Sequence, residues 1–229
     1  MNKLSKQRTY TMTILAYPGM TMLDAVGPNE VLANSPYFDV EWVSTSKQPF
    51  TNDLASFNLS GLRYFLDIDK TDILLIPGGP GEHAVMQNEA VIAWVKKIDK
   101  TSVYTTSVCT GSLILAKAGL LNNRSASTHW GCLDELTALG ANTSRKRYIQ
   151  SGKYITAAGV SAGIDMALYM LKTLVSTKHS RDLRFGIEYF PNQIHVISSY
   201  TLPRFALRKL SARFGQFYTK TRLRFRADE

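Results

Sequence analysis

Short β-branched runs alternate with helical stretches along this chain, and that alternation predicts an α/β fold with a parallel sheet covered on both faces. Two further observations agree. The run "TDILLIPGG" (71–79) is apolar without break over "ILLI" before it closes on Pro77-Gly78-Gly79, as a strand buried on both sides should be. Glycine follows two of the helical stretches, at Gly119 and Gly140, where a left-handed residue stops a helix.

The elements follow in order. "YTMTILAY" (10–17) reads as the first strand, and "TMLDAVGPNEVLANS" (21–35) as a short helix interrupted at Gly27-Pro28. "FDVEWVST" (38–45) is a second strand, and "SKQPFTNDLASFNLSG" (46–61) reads as a loop. After the buried strand at 71–79, "AVIAWVKKIDK" (90–100) has helical amphipathic spacing. "SVYTTSV" (102–108) is a strand that runs into the helix "TGSLILAKAGLL". "HWGCLDELTALG" (129–140) makes another helix. "RYIQSGKYITAAG" holds two short strands around Ser151-Gly152-Lys153, and "SAGIDMALYMLKTLVST" (161–177) is a long apolar helix. Repeats and interdomain linkers are lacking, so one doubly wound domain over 1–229 is expected.

The 229 residues are 45% hydrophobic and 20% charged, an ordinary globular composition. No apolar run reaches the roughly 18–20 residues that cross a bilayer. The start "MNKLSKQRTY" lacks the apolar stretch of a secretory signal, so a cytoplasmic protein with no membrane partner is expected. Cys109 and Cys132 are too few for a disulfide framework, and the histidines are scattered, so neither metal nor cofactor is called for. The formal charge is +9, and residues 201–229 hold eight Lys/Arg against two acids, +6 of the total. That basic segment reads as a solvated C-terminal helix docked on the domain, with contact to nucleic acid as the alternative.

In open parallel sheets, ligands gather at the carboxyl ends of the strands. Three segments end there with reactive or accommodating residues: "AYPGMTMLD" with Asp24, "LLIPGGPG" with its open backbone amides, and "TSVCTGS" with Cys109 at the strand-to-helix bend. A residue at such a bend points out of the sheet beside free N–H groups, and those donors are expected to lower the thiol pKa. Each residue also has a plainer reading. Cys109 can be core packing, Asp24 a turn residue, Thr110 a helix cap, Gly79 a simple turn, and His129 a helix-start residue. Cys132 is read as structural, and Asp165 as a partner of backbone donors.

Five segments in order, "PGMTMLDAVGPNEVL", "DILLIPGGPG", "SVCTGSLILAKAGLL", "STHWGCLDEL" and "ITAAGVSAGIDMAL", resemble the ThiJ/PfpI superfamily, itself class I glutamine amidotransferase-like, in its isonitrile hydratase-like branch. The resemblance implies a flavodoxin-like three-layer sandwich, a small-molecule substrate, a homodimer and no cofactor. It implies that Cys109 is the nucleophile, that Asp24 is its acid partner, and that Thr110 takes part. Gly79 and the N–H of Thr110 would be anion-pocket donors, with His129 near the thiol. The chain departs from the branch after about residue 180, where it keeps Glu188, Tyr189 and Pro191 but not the prolines that follow. An appended AraC-type DNA-binding half is not expected.

The implied reaction hydrates an isonitrile to an N-substituted formamide. Asp24 protonates the terminal carbon, the Cys109 thiolate attacks it to form a thioimidate, and Asp24 then deprotonates a water held by Thr110. Because two charges would repel in a small pocket, the thiol and carboxyl are expected to share one proton. The alternatives are a glyoxalase- or deglycase-type enzyme using the same cysteine, or a non-catalytic thiol sensor or regulator associated with DNA.

Overall fold

A computed structural model describes residues 8–191. The basic segment 201–229 lies outside the described residues.

The chain enters on β1 (Tyr10–Ala16), crosses through α1 (Met22–Ala33) and returns in β2 (Phe38–Ser44). A small antiparallel pair, β3 (Phe50–Thr51) with β4 (Asn58–Leu59), precedes β5 (Arg63–Tyr64). Then come β6 (Ile73–Ile76), α2 (Glu82–Gln87), α3 (Glu89–Asp99), β7 (Tyr104–Val108) and α4 (Gly111–Lys117). β8 (Ser125–Ser127), α5 (Leu133–Ala138) and β9 (Asn142–Ser144) form a side excursion. β10 (Tyr148–Ser151), β11 (Tyr154–Ala157), α6 (Ala162–Leu174) and α7 (Thr177–Gly186) complete the described chain.

The main sheet runs β10-β11-β7-β6-β1-β2-β5 and is parallel except for β10. Ile14 of β1 lies opposite Trp42 on one side and Leu75 on the other. All four side chains of β6 are fully buried, each worth about 1.5–3 kcal/mol relative to exposure. One helical layer holds α1, α6 and α7, and the other holds α2 to α5, as right-handed crossovers in opposite directions demand. The expected three-layer, flavodoxin-like sandwich is therefore the fold. α3 shows how such a layer is written. Val91, Trp94, Val95 and Ile98 recur at helical spacing and are buried, while the Asn88 side chain accepts the Val91 N–H and starts the helix.

From β1 the chain first moves outward to β2 and β5, then returns to β6 on the other side of β1. The connections leaving β1 and β6 diverge there, which opens a crevice at their carboxyl ends.

Two expectations need correction. α1 is not interrupted at Gly27-Pro28; Pro28 lies inside a continuous helix. The missing hydrogen bond is tolerated because α6 packs the ring tightly: a Cβ on Gly163 would sit 2.9 Å from Pro28 Cγ. The segment 46–61 is not only loop. The Asn52 side-chain Oδ1 accepts the Ser56 and Phe57 N–H groups at 2.9 and 2.8 Å, folding β3 back on β4. Among the described residues no helix is long and apolar enough to cross a membrane.

Candidate active site

β7 ends at Val108 and α4 begins at Gly111, so the chain must turn sharply within two residues. Cys109 makes the turn with φ 58°, a left-handed conformation that costs a non-glycine residue about 1–2 kcal/mol. Four hydrogen bonds hold it there. The Cys109 N–H donates to Ala157 O at 3.1 Å and Ala158 O at 2.7 Å. Its carbonyl accepts from Ser112 Oγ at 3.2 Å and Thr128 Oγ1 at 3.1 Å. A strained residue this heavily constrained marks a position the fold maintains for a reason other than packing.

Asp24 reaches the same place from the first turn of α1. The loop before it is clamped to the β6–α2 loop, since the Thr21 N–H donates to Gly78 O at 2.8 Å. The Gly78 N–H in turn donates to Asp24 Oδ2 at 2.9 Å. Gly78 must be glycine, because a Cβ there would lie 2.6 Å from Thr110 Oγ1 and 2.9 Å from Cys109 Cβ. The next amide, Gly79 N–H, donates to Thr110 Oγ1 at 2.9 Å. The Thr110 hydroxyl is therefore a receiver for this loop and makes no helix-capping bond.

Asp24 is fully buried and Cys109 nearly so. The thiol interacts with the Asp24 carboxyl, yet among the described residues Asp24 Oδ1 has no partner of regular hydrogen-bond geometry. The two facts agree if the thiol is a close neighbour without ideal alignment. Burial lifts the Asp24 carboxyl to about pKa 8; the Gly78 N–H and the thiol pull it down, and Asp53 adds to the rise. Burial also raises the Cys109 thiol, helped by Asp24, Cys132 and Glu82, against a lowering bond from the Thr110 N–H.

This corrects the expected half-ionised sulfur. α4 is short, and one amide does not outweigh desolvation in so closed a place. At neutral pH the pair holds two protons, not one. The anion-pocket expectation also changes in detail, since the Gly79 N–H is taken by the Thr110 hydroxyl while the Thr110 N–H serves the sulfur.

His129 is buried, and desolvation lowers its pKa to about 4, so the ring is neutral. It stands on the flank of the elbow, next to Thr128 and against Gly159, and its Nδ1 accepts the Gly131 N–H at 3.3 Å. Beyond it a cavity of about 190 Å³ is lined by Thr128, Trp130, Arg145, Arg147 and Gly159 among others. Asp165, expected to serve backbone donors, instead pairs with Arg147 and accepts from the Tyr189 hydroxyl at 3.2 Å.

Cys109, Asp24, Thr110 and Gly79 thus converge, with His129 beside them. Sequence reasoning missed Gly78, which holds the acid, and the hydroxyls of Ser112 and Thr128, which pin the elbow. It also missed Glu82, a second fully buried carboxyl whose charge reaches the thiol. The paired glycines of "PGG" were the available signal for Gly78. Among the described residues no group of three or more His, Cys, Asp or Glu could hold a metal ion.

Residues 11–173 match the model of the DJ-1/PfpI family. The chain is 35% identical over 177 residues to an isonitrile hydratase of Pseudomonas putida, covering 77% of each protein. A deglycase of Thermococcus kodakarensis is 28% identical over 92 residues, covering 40% of this chain and 55% of that protein. Among solved structures, a ThiJ/PfpI family protein from Pseudomonas syringae superposes with TM-score 0.85 at 30% identity, covering 97% of this chain and 93% of that one.

Proposed function

Because this chain belongs to the DJ-1/PfpI family, we propose that it is an enzyme of the isonitrile hydratase type, with Cys109 as nucleophile and Asp24 as acid and base. The observation that carries the reading is a buried carboxyl kept protonated near neutral pH beside a thiol on a strained elbow. An isonitrile, R–N≡C, asks for that pairing. Its terminal carbon holds a lone pair and accepts a nucleophile only as it accepts a proton.

Asp24 gives its proton to the terminal carbon while the Cys109 sulfur bonds to it. The thiol proton passes to the carboxylate left on Asp24. The product is a thioimidate, R–N=CH–S–Cys, and Asp24 is again an acid. In the second half Asp24 protonates the imine nitrogen and takes a proton from water as the water oxygen bonds to carbon. Thr110, its hydroxyl oxygen held by the Gly79 N–H, orients that water. The C–S bond then breaks, the new hydroxyl proton returns to sulfur through Asp24, and R–NH–CHO leaves. Charge that develops on sulfur is met by the Thr110 N–H.

The test uses the full chain with cyclohexyl isocyanide, and methylglyoxal in parallel. Formamide should accumulate with the wild-type protein and fall by at least about a thousandfold in Cys109→Ala. Formamide production that survives Cys109→Ala, or turnover of methylglyoxal alone, overturns the reading.

A further inference from the structure

The peptide unit between Pro77 and Gly78 is engaged at both ends. Its N–H donates to Asp24 Oδ2 at 2.9 Å. Its carbonyl, Pro77 O, accepts the Tyr17 hydroxyl at 2.8 Å. Tyr17 is the residue directly after β1, and its side chain is completely buried. Phenol, peptide and carboxyl therefore form a continuous chain that crosses from the end of β1 to β6 and back to α1. A donor on a peptide carbonyl polarises the same peptide's N–H, so adjacent bonds in such a chain strengthen one another.

We propose that Tyr17 is a positioning residue for Asp24, acting through the Pro77–Gly78 peptide to strengthen the N–H that holds Oδ2 and so to set how readily the carboxyl parts with its proton. This role rests on the reading of Asp24 as the acid of the proposed hydratase. Tyr17 lies in the same opening segment as Asp24 and reaches the carboxyl through the Pro77–Gly78 peptide. The groups that act electrostatically on the pair are Cys109 from the elbow, Asp53 from the β3–β4 turn, Glu82 from α2 and Cys132 ahead of α5. Cys109 adds a side-chain hydrogen bond to Asp24, and among the described residues the Gly78 N–H is its one backbone donor. The strength of that donor then carries unusual weight.

The sign follows. Removing the phenol O–H weakens the Gly78 N–H as a donor, the carboxylate loses stabilisation, and the Asp24 titration moves up. A more acidic phenol at position 17 strengthens the chain and moves it down. The measurement is a carbon-13 NMR titration of the full chain labelled at the aspartate carboxyls, with Asp24→Asn to assign the signal. Tyr17→Phe should raise the Asp24 midpoint by roughly half a unit to one unit. Thr106→Val removes another buried hydroxyl-to-carbonyl bond, to Leu74 O, outside the chain, and should leave the midpoint unchanged. Should Tyr17→Phe fail to fold, 3-fluorotyrosine placed at position 17 by suppression supplies the opposite arm, a lower midpoint.

An Asp24 midpoint unmoved by either substitution at position 17, or moved equally by Thr106→Val, overturns the proposal. The titration needs no substrate. A wild-type protein inactive on isonitriles but with a shifted midpoint would sink the proposed reaction alone.

Discussion

Two aspartates are buried at opposite ends of the same sheet, and the protein treats them differently. Asp99, at the amino ends of β7 and β11, accepts the Thr105 hydroxyl at 2.7 Å and the Tyr154 hydroxyl at 3.3 Å, and pairs with Lys153 at 3.1 Å. Asp24, at the carboxyl ends of β1 and β6, has one amide and a thiol, and no lysine or arginine among the described residues answers its charge. A buried charge supplied with a cation and hydroxyls is part of the scaffold. A carboxyl buried without them keeps its proton, and a proton held near neutral pH is one that can be transferred. The amino end of the sheet is built to stay as it is, and the carboxyl end is built short of donors.

Exchanging the two acids for neutral residues should separate the ends. The largest effect is on turnover: Asp24→Asn removes the transferable proton and should lower formamide production by on the order of a thousandfold, with the fold intact by circular dichroism. Next in size is Asp99→Ala, which strands two hydroxyls and Lys153. It should destabilise the protein by about 2–4 kcal/mol in urea unfolding, with turnover within about twofold of wild type. A loss of activity in Asp99→Ala with unchanged stability would reverse the assignment of roles.

A smaller effect sharpens the contrast. Folded Asp24 keeps its proton to about pH 8, whereas the unfolded chain releases it near 3.8. Between those values the native state binds more protons than the unfolded one, so this site's contribution to stability falls as pH rises through that window. Asp24→Asn escapes the loss. Its stability relative to wild type should climb from pH 4 to pH 8 and level off above, by on the order of one to a few kcal/mol. Calorimetry of both proteins at several pH values reads the difference, and a gap that shrinks with rising pH contradicts it.

Much of this was legible in the chain. Strand and helix positions followed from periodicity, because β6 is apolar without break and α3 repeats its apolar residues at helical spacing. Cys109 and Asp24 were legible because a sharp turn after a strand and an acid in the opening loop are local features. The ionisation of the thiol was misjudged, since a helix start suggests stabilisation while burial is a property of the whole assembly. β3 and β4 were invisible because two-residue strands carry no period, and their pairing depends on one asparagine side chain. The continuity of α1 through Pro28 depends on α6, more than a hundred residues away. The roles of Gly78, Tyr17 and Thr128 likewise arise from contacts between distant loops, for which no local pattern speaks.

Infrared difference spectroscopy of the wild-type protein against Asp24→Asn across pH reads the proton on Asp24 itself. A protonated-carboxyl stretch belonging to Asp24 is expected at pH 7 and should disappear as pH rises through about 8. A spectrum in which Asp24 is already a carboxylate at pH 6 would show an ordinary surface-like acid, and the carboxyl end of the sheet would lose its claim to proton transfer.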